Sequence, residues 1–274
     1  MERTPLMSIQ PYFVLDSDDF CQRLLFENGI SHFYSFSNRT ESDITVPVLT
    51  DGCSNLLFEY RDGSLRTHFV GSTLEKRTFS VKKDAQYFGV RLTPGCAFSI
   101  PGMSAKETVG KVIILDGLDF SREFCSHMGM QTDFESRMKV FLQEFPALCG
   151  RGKKSPEKTG LFNQIADIII NHRGMVKVKE LEKLSGYTSR YINKIFESEI
   201  GFSAKQLCTA VKFQFLLGEM HMGNMESLTA ISSEYDFYDQ SHFIHEFKEL
   251  SGKAPSIYTA EISDGNYSSK VRTV

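Results

Sequence analysis

Tryptophan is absent from the 274 residues, and no apolar run approaches the ~20 residues that a membrane-spanning helix requires. Stretches such as Val112–Leu115 and Ile168–Ile170 are far shorter, so no membrane partner is expected. The first twenty residues are broken by Pro5 and Pro11 and carry Asp16, Asp18 and Asp19, which is unlike a secretory leader. The cysteines at Cys21, Cys53, Cys96, Cys125, Cys149 and Cys208 form no CxxC pair, and none stands near a histidine at zinc-finger spacing. A disulfide framework is therefore not expected. A glycine-rich phosphate loop, a GxSxG elbow and a readable Ser-His-Asp arrangement are all missing. His242 and His245, with His221 upstream, lack a cysteine or carboxylate that completes a convincing metal set. These absences predict a cytoplasmic protein that is no enzyme and needs neither metal nor cofactor.

What is present fits a globular chain: 41% of residues are hydrophobic, 24% are charged and the net charge is -3. At roughly 150 residues per domain, two domains are expected. Gly150–Gly160, reading GRGKKSPEKTG, holds no apolar side chain and marks a linker. The pattern predicts a domain over 1–150, a linker over 151–160, a second domain over 161–262 and a flexible tail over 263–274. The self-contained pattern after the linker predicts that the second domain folds alone. Charge divides weakly, with 15 basic and 19 acidic residues up to Gly150 and 16 and 15 beyond it.

The first domain reads mostly as strands. Ile44–Leu49, Asn55–Tyr60, Leu65–Val70, Leu74–Val81 and Gln86–Leu92 are β-branched or aromatic runs, punctuated by Asp51-Gly52, Asp62-Gly63, Lys83-Asp84 and Pro94-Gly95. Strands at roughly ten-residue spacing predict a small antiparallel β-barrel or sandwich, cupin-like in outline. Asp119–Met128 and Thr132–Phe145 follow as helices. Phe134, Met138, Phe141 and Phe145 make a stripe that either packs on the barrel or pairs two copies of the chain. The aromatics Phe58, Tyr60, Phe69, Tyr87, Phe88 and Phe98 form a core or line a pocket for a small ligand.

The second domain is all-α, and it repeats itself. Val178, Leu181, Gly186 and Tyr187 return fifty residues later as Leu228, Ile231, Asp236 and Phe237. Ile192, Phe196 and Gly201 return at fifty-one as Phe243, Phe247 and Gly252. Each copy reads helix, tight turn, helix and a closing glycine, which is the helix-turn-helix plan. Lys177–Ser185 and Ser227–Tyr235 support, Ser189–Glu199 and Asp239–Leu250 recognise, and Ala204–Met220 joins the copies. The whole is an α+β chain with a double helix-turn-helix at its end.

This region resembles the DNA-binding domain of the AraC/XylS family of bacterial transcription regulators. The likeness rests on Asp239-Gln240-Ser241-His242-Phe243, then Phe247-Lys248, Gly252 and Pro255, and on Tyr191-Ile192, Phe196 and Gly201 in the first copy. It implies double-stranded DNA as partner, with Arg190, Asn193 and Lys194 reading bases in one module and Gln240, Ser241 and His245 in the other. Such side chains suit base reading, because arginine pairs with guanine, and asparagine or glutamine with adenine. The resemblance also implies a small-molecule effector or homodimer contact in the first domain, and RNA polymerase as a partner if the protein activates.

The chain departs from the family at several positions. Glu182 and Ser232 stand where the family has small residues, Asp236 where it has glycine, and Lys212 and His245 where it has arginine. Glu182 is expected to weaken packing, and Asp236 to take a left-handed turn conformation. Asp239, Glu246 and Glu249 outnumber Lys248 in the second recognition segment, so phosphate attraction should come mainly from the first copy and the linker. The alternative is an interaction protein of the same fold that docks a protein partner and binds DNA weakly or not at all.

Overall fold

A computed structural model of the chain describes residues 6–274 except 95, 97, 150–155 and 224–227. The first half runs α1 (Pro11–Leu15), β1 (Asp18–Glu27), β2 (Ile30–Asn38), β3 (Ile44–Val48), β4 (Ser54–Arg61), β5 (Ser64–Val70), β6 (Arg77–Val81), β7 (Ala85–Leu92), α2 (Ala105–Thr108) and β8 (Val112–Ile114). A 3-10 turn at Asp119–Ser121 leads into α3 (Arg122–Gly129) and α4 (Phe134–Cys149). The second half holds α5 (Pro156–Asn171), α6 (Val178–Ser185), α7 (Ser189–Glu199), α8 (Ala204–His221), α9 (Leu228–Glu234), α10 (Gln240–Ser251), α11 (Pro255–Asp264), α12 (Tyr267–Lys270) and β9 (Arg272–Thr273).

Seven strands make one open sheet in the order β8-β5-β4-β7-β2-β1-β9, and β3 pairs with β6 as a separate ribbon. The fold is thus α+β, with an open sheet in place of a closed barrel. Two tight turns set the register. Asn28-Gly29 and Asp62-Gly63 all have positive φ, as the hairpin turn that matches strand twist demands. Asp62-Gly63 is legible in the sequence, whereas β1 and β2 are not picked out by its pattern despite the Asn28-Gly29 signal between them.

Alternation along the strands gives the sheet two buried faces. Phe33, Leu56, Phe58, Phe88 and Val90 point to one, where Phe124, Met138, Phe141 and Phe145 of α3 and α4 cover them. The stripe on α4 therefore packs on its own sheet, with Phe141 edge-on to Phe33 and Phe58. It is not available as a dimer contact, because Phe141 and Phe145 are buried within the chain.

The other face holds Tyr34, Phe36, Leu57 and Tyr87. Here glycine is obligatory at Gly89, since a Cβ would lie 2.1 Å from the Tyr34 ring. This face joins one cluster with Tyr12 and Phe13 of α1, Val46 and Val48 of the ribbon, and Phe213, Leu216, Leu217, Phe243, Phe247 and Tyr258 of the helical half. The halves consequently share a core. Polar contacts repeat the message. Gln214 of α8 is buried; its Oε1 accepts from the Ile9 N–H at 2.6 Å and its Nε2 donates to the Thr50 carbonyl at 2.7 Å.

Residues 151–155 lie outside the described residues, and 156–160 form the first turn of α5, where Pro156 suits the start of a helix. The tail expected to be flexible folds back. After α12, β9 pairs in parallel with β1, and the Lys270 ammonium donates to the Leu15 carbonyl at 2.8 Å.

Gln214→Ala should lower the stability of the whole chain by on the order of 3 kcal/mol, because two buried backbone groups lose their partners. Urea denaturation checks this, and a change below about 0.5 kcal/mol would show that the amide does not hold the halves together.

Candidate nucleic-acid interface

Each recognition helix is built by the same local chemistry. In the first module, α6 ends at Gly186 in a left-handed conformation, φ 77°. Thr188 then caps α7 by accepting from the Tyr191 N–H at 3.4 Å. Ile192, Ile195 and Phe196 turn inward to meet Phe162 and Ile165 of α5 and Leu181 of α6. The 3.6-residue period leaves Arg190, Tyr191, Lys194 and Glu197 exposed on the other side. In the second module, Asp236 takes the left-handed turn position at φ 54°. Asp239 caps α10 by accepting from the His242 N–H at 2.7 Å. Phe243 and Phe247 are buried, and Gln240, Ser241, His245 and Lys248 are exposed.

Glu182 does not loosen the first module. Its Oε1 accepts from both the N–H and the hydroxyl of Ser189, each at 2.5 Å, so a carboxylate of α6 caps the start of α7. The helix N-terminus welcomes that negative charge. These bonds to Ser189 hold the Glu182 carboxyl below its usual range.

The six sequence-derived positions separate into three groups. Arg190 and Lys194 lie one turn apart on an exposed face. Asn193 is half-buried, and its Oδ1 accepts from the Ala204 N–H at 3.3 Å, so it ties α7 to the start of α8. In α10, Gln240 and Ser241 occupy the first turn, while the His245 Nδ1 stands 3.9 Å from a Glu249 oxygen. Lys212 is turned inward. Its ammonium sits 3.7 Å above the Phe237 ring and 3.4 Å from Glu246, so it joins α8 to α10.

Charge is unequal between the modules. Lys179, Lys183, Arg190 and Lys194 are exposed and have no ion-pair partner among the described residues. On α10 the exposed Lys248 is outnumbered by Glu246 and Glu249.

Three exposed tyrosines are not among the DNA-reading positions taken from the sequence. Tyr187 and Tyr191 stack with ring centroids 5.4 Å apart, beside exposed Leu184. Tyr238, 93% exposed, stands just before α10. The repeat equates Tyr187 with Phe237, yet Phe237 is buried and Tyr187 is not. Stacking across the turn between α6 and α7 is invisible to spacing along one helix.

Removing the Glu182 cap gives a pH-dependent loss. Because the folded-state carboxyl titrates below its unfolded value, its contribution is full above the ordinary carboxylate range and disappears as pH falls through the lowered value. Glu182→Ala should therefore lower the unfolding midpoint at pH 7, and the gap from the parent should close in acid. A gap that persists unchanged in acid would remove the carboxylate from the cap.

Comparison with known proteins agrees in its coarse lines. Residues 181–261 match the family described as a helix-turn-helix domain, and residues 25–113 match a domain of unknown function (DUF6597). No curated protein matches the chain. Among solved structures it is similar to ToxT from Vibrio cholerae. The P21 form is 10% identical with a TM-score of 0.43, covering 88% of this chain and 98% of that one. ToxT from strain O395 is 12% identical with a TM-score of 0.41, covering 88% and 97%. Wild-type ToxT bound to an unsaturated fatty acid is 13% identical with a TM-score of 0.38, covering 89% and 94%. Residues 181–261 thus carry a helix-turn-helix domain, and the two capped helix pairs of the structure lie within the carboxyl-terminal half.

Proposed function

We propose that the protein reads a specific double-stranded DNA site with two recognition helices of unequal strength. The observation that carries this reading is a pair of separately capped helices, each burying its apolar stripe and turning polar side chains outward. In the first module, Arg190 and Lys194 supply base and phosphate contacts, and Asn193 fixes α7 against α8 and offers its amide nitrogen to a base. In the second, Gln240, Ser241 and His245 read a neighbouring patch with little help from charge. Exposed lysines concentrate phosphate attraction on the first module, because phosphate neutralisation supplies most sequence-independent affinity.

The regulator works in the bacterial cytoplasm, acts without catalysis and answers to a small effector or to pairing of two copies. Two clefts between the halves, of about 390 Å³ and about 630 Å³, are of a size for such an effector. If it activates, RNA polymerase is a further partner. The acidic face of α10 favours a second reading, in which this module docks a basic protein surface and only the first touches DNA.

Arg190→Ala should weaken binding to the preferred site by about 1–3 kcal/mol and relax base preference at one position, because a bidentate contact is lost. Gln240→Ala should act in a separate patch about one helical turn, ~34 Å, along the duplex. Footprinting of both variants on one selected site checks the placement. Absence of a second protected patch already in the parent, with Gln240→Ala binding as the parent does, would support the protein-docking reading of α10.

A further inference from the structure

The larger cleft, of about 630 Å³, opens between the loop leading into β6 and the first turns of α8. One wall carries Lys76 and Arg77, and the other carries Lys205, Gln206 and Thr209. Glu75 is the single acidic residue among the described lining residues, so three cations face one carboxylate. Lys76 and Lys205 are exposed and have no ion-pair partner among the described residues.

Two further observations mark this as more than a solvated gap. Thr50 lines the cleft at 1% exposure, and its hydroxyl has no hydrogen-bond partner. An unpaired buried hydroxyl costs stability unless something satisfies it. Lys205 lies in the first turn of an 18-residue helix that has no acidic residue there. A cation at the positive end of a helix dipole is unfavourable unless an anion offsets it. The Gln206 Oε1 is already occupied by the N–H and hydroxyl of Ser203, which leaves its amide nitrogen to donate.

We propose that this cleft binds a small anionic molecule, carrying a phosphate or carboxylate group, held between Lys76 and Arg77 of the sheet half and Lys205 of α8. Thr50 and Gln206 donate hydrogen bonds to its oxygens, and Leu74 and Val109 provide the apolar part of the lining. The site bridges the halves at the helix that joins both recognition modules. The proposal rests on the reading of the protein as effector-controlled, and it names that effector's class.

Calorimetric titration of the intact chain with inorganic phosphate and, separately, with acetate, at matched ionic strength, tests it. Saturable binding of one or both is expected, and the stronger of the two identifies the head group. Lys76→Gln and Lys205→Gln are surface changes that leave the core untouched, and each should weaken binding by about tenfold, in keeping with ~1.4 kcal/mol for a lost charged contact. Thr50→Val, checked for folding by circular dichroism, should weaken it by a smaller factor. No saturable binding of either anion, or equal binding by the parent and both lysine variants, overturns the site. Competition between phosphate and non-specific DNA for the parent, with DNA affinity lost in Lys205→Gln, also overturns it, since the cleft would then track the DNA backbone. Binding at the cleft without any change in affinity for the selected DNA site supports the anion site but removes the effector reading.

Discussion

The arrangement of the chain depends on a buried polar seam between the sheet and α8. Asp51, wholly inaccessible to solvent, pairs with the Arg91 guanidinium at 2.5 Å and also accepts from the Ser8 hydroxyl, the Gln10 amide and the Cys53 N–H. Gln10 clasps both the N–H and the carbonyl of Leu49. One residue beyond each of these segments, Ile9 and Thr50 are held by Gln214 of α8. Burying a charge pair is costly, and removing one partner is costlier, because the remaining charge has no water to turn to. The seam therefore specifies a single docking of the first stretch of chain, the sheet and the helix. His32 fits the same logic: burial, with Arg91 close by, pushes its pKa down to about 3, so it adds no second positive charge.

From this seam the recognition modules inherit their positions. Helix α8 carries Leu207 and Val211 into the cluster beneath the first module, and Phe213, Leu216 and Leu217 into the cluster shared with the sheet and the second. Gly201, which ends α7 at φ +85°, lies so close to α2 that a Cβ would come within 2.6 Å of the Ala105 backbone. At the far end, the Tyr12 hydroxyl donates to Glu261 of α11, and the Lys253 ammonium lies 2.7 Å from the same carboxylate. The sheet half is thus packed directly against the helices of both modules.

Legibility in the sequence follows periodicity. The helical half is readable because its repeat places Ile192, Phe196, Phe243 and Phe247 at fixed intervals, and each of these is buried. The sheet half is readable only where alternation or a turn pair stands out. Strand β2 is hidden because Ser31, His32, Ser35 and Asn38 interrupt the apolar pattern. Those side chains are nevertheless buried, and Asn38 is satisfied by the carbonyls of Ser42 and Val81. Shared burial between distant halves leaves no local mark, so Gly150–Gly160 has the composition of a boundary between independent units. For the interface, the exposed sites Arg190 and Lys194 are legible from helix phase. The tie from Asn193 to Ala204 and the Glu182 cap are not, since both depend on where two helices meet.

The same scaffold thus presents two different surfaces. Both recognition helices have a side-chain cap at the start and a glycine in left-handed conformation after them, and both bury aromatic side chains at matching positions of the repeat. Their outer faces have diverged, because an outward residue answers to its partner and not to the core. In the first module the carboxylate of Glu182 is turned to capping, and Lys179, Lys183, Arg190 and Lys194 are exposed along with Glu180 and Glu197 without forming ion pairs among the described residues. In the second, Glu246 lies near both Lys212 and His242, and the exposed Glu249 stands beside His245, so the outer face of α10 keeps an acidic character. A uniform field over both modules would hold DNA without regard to sequence. On the proposed reading, attraction concentrated on one module would leave the other to discriminate through hydrogen bonds and shape, which salt screens less.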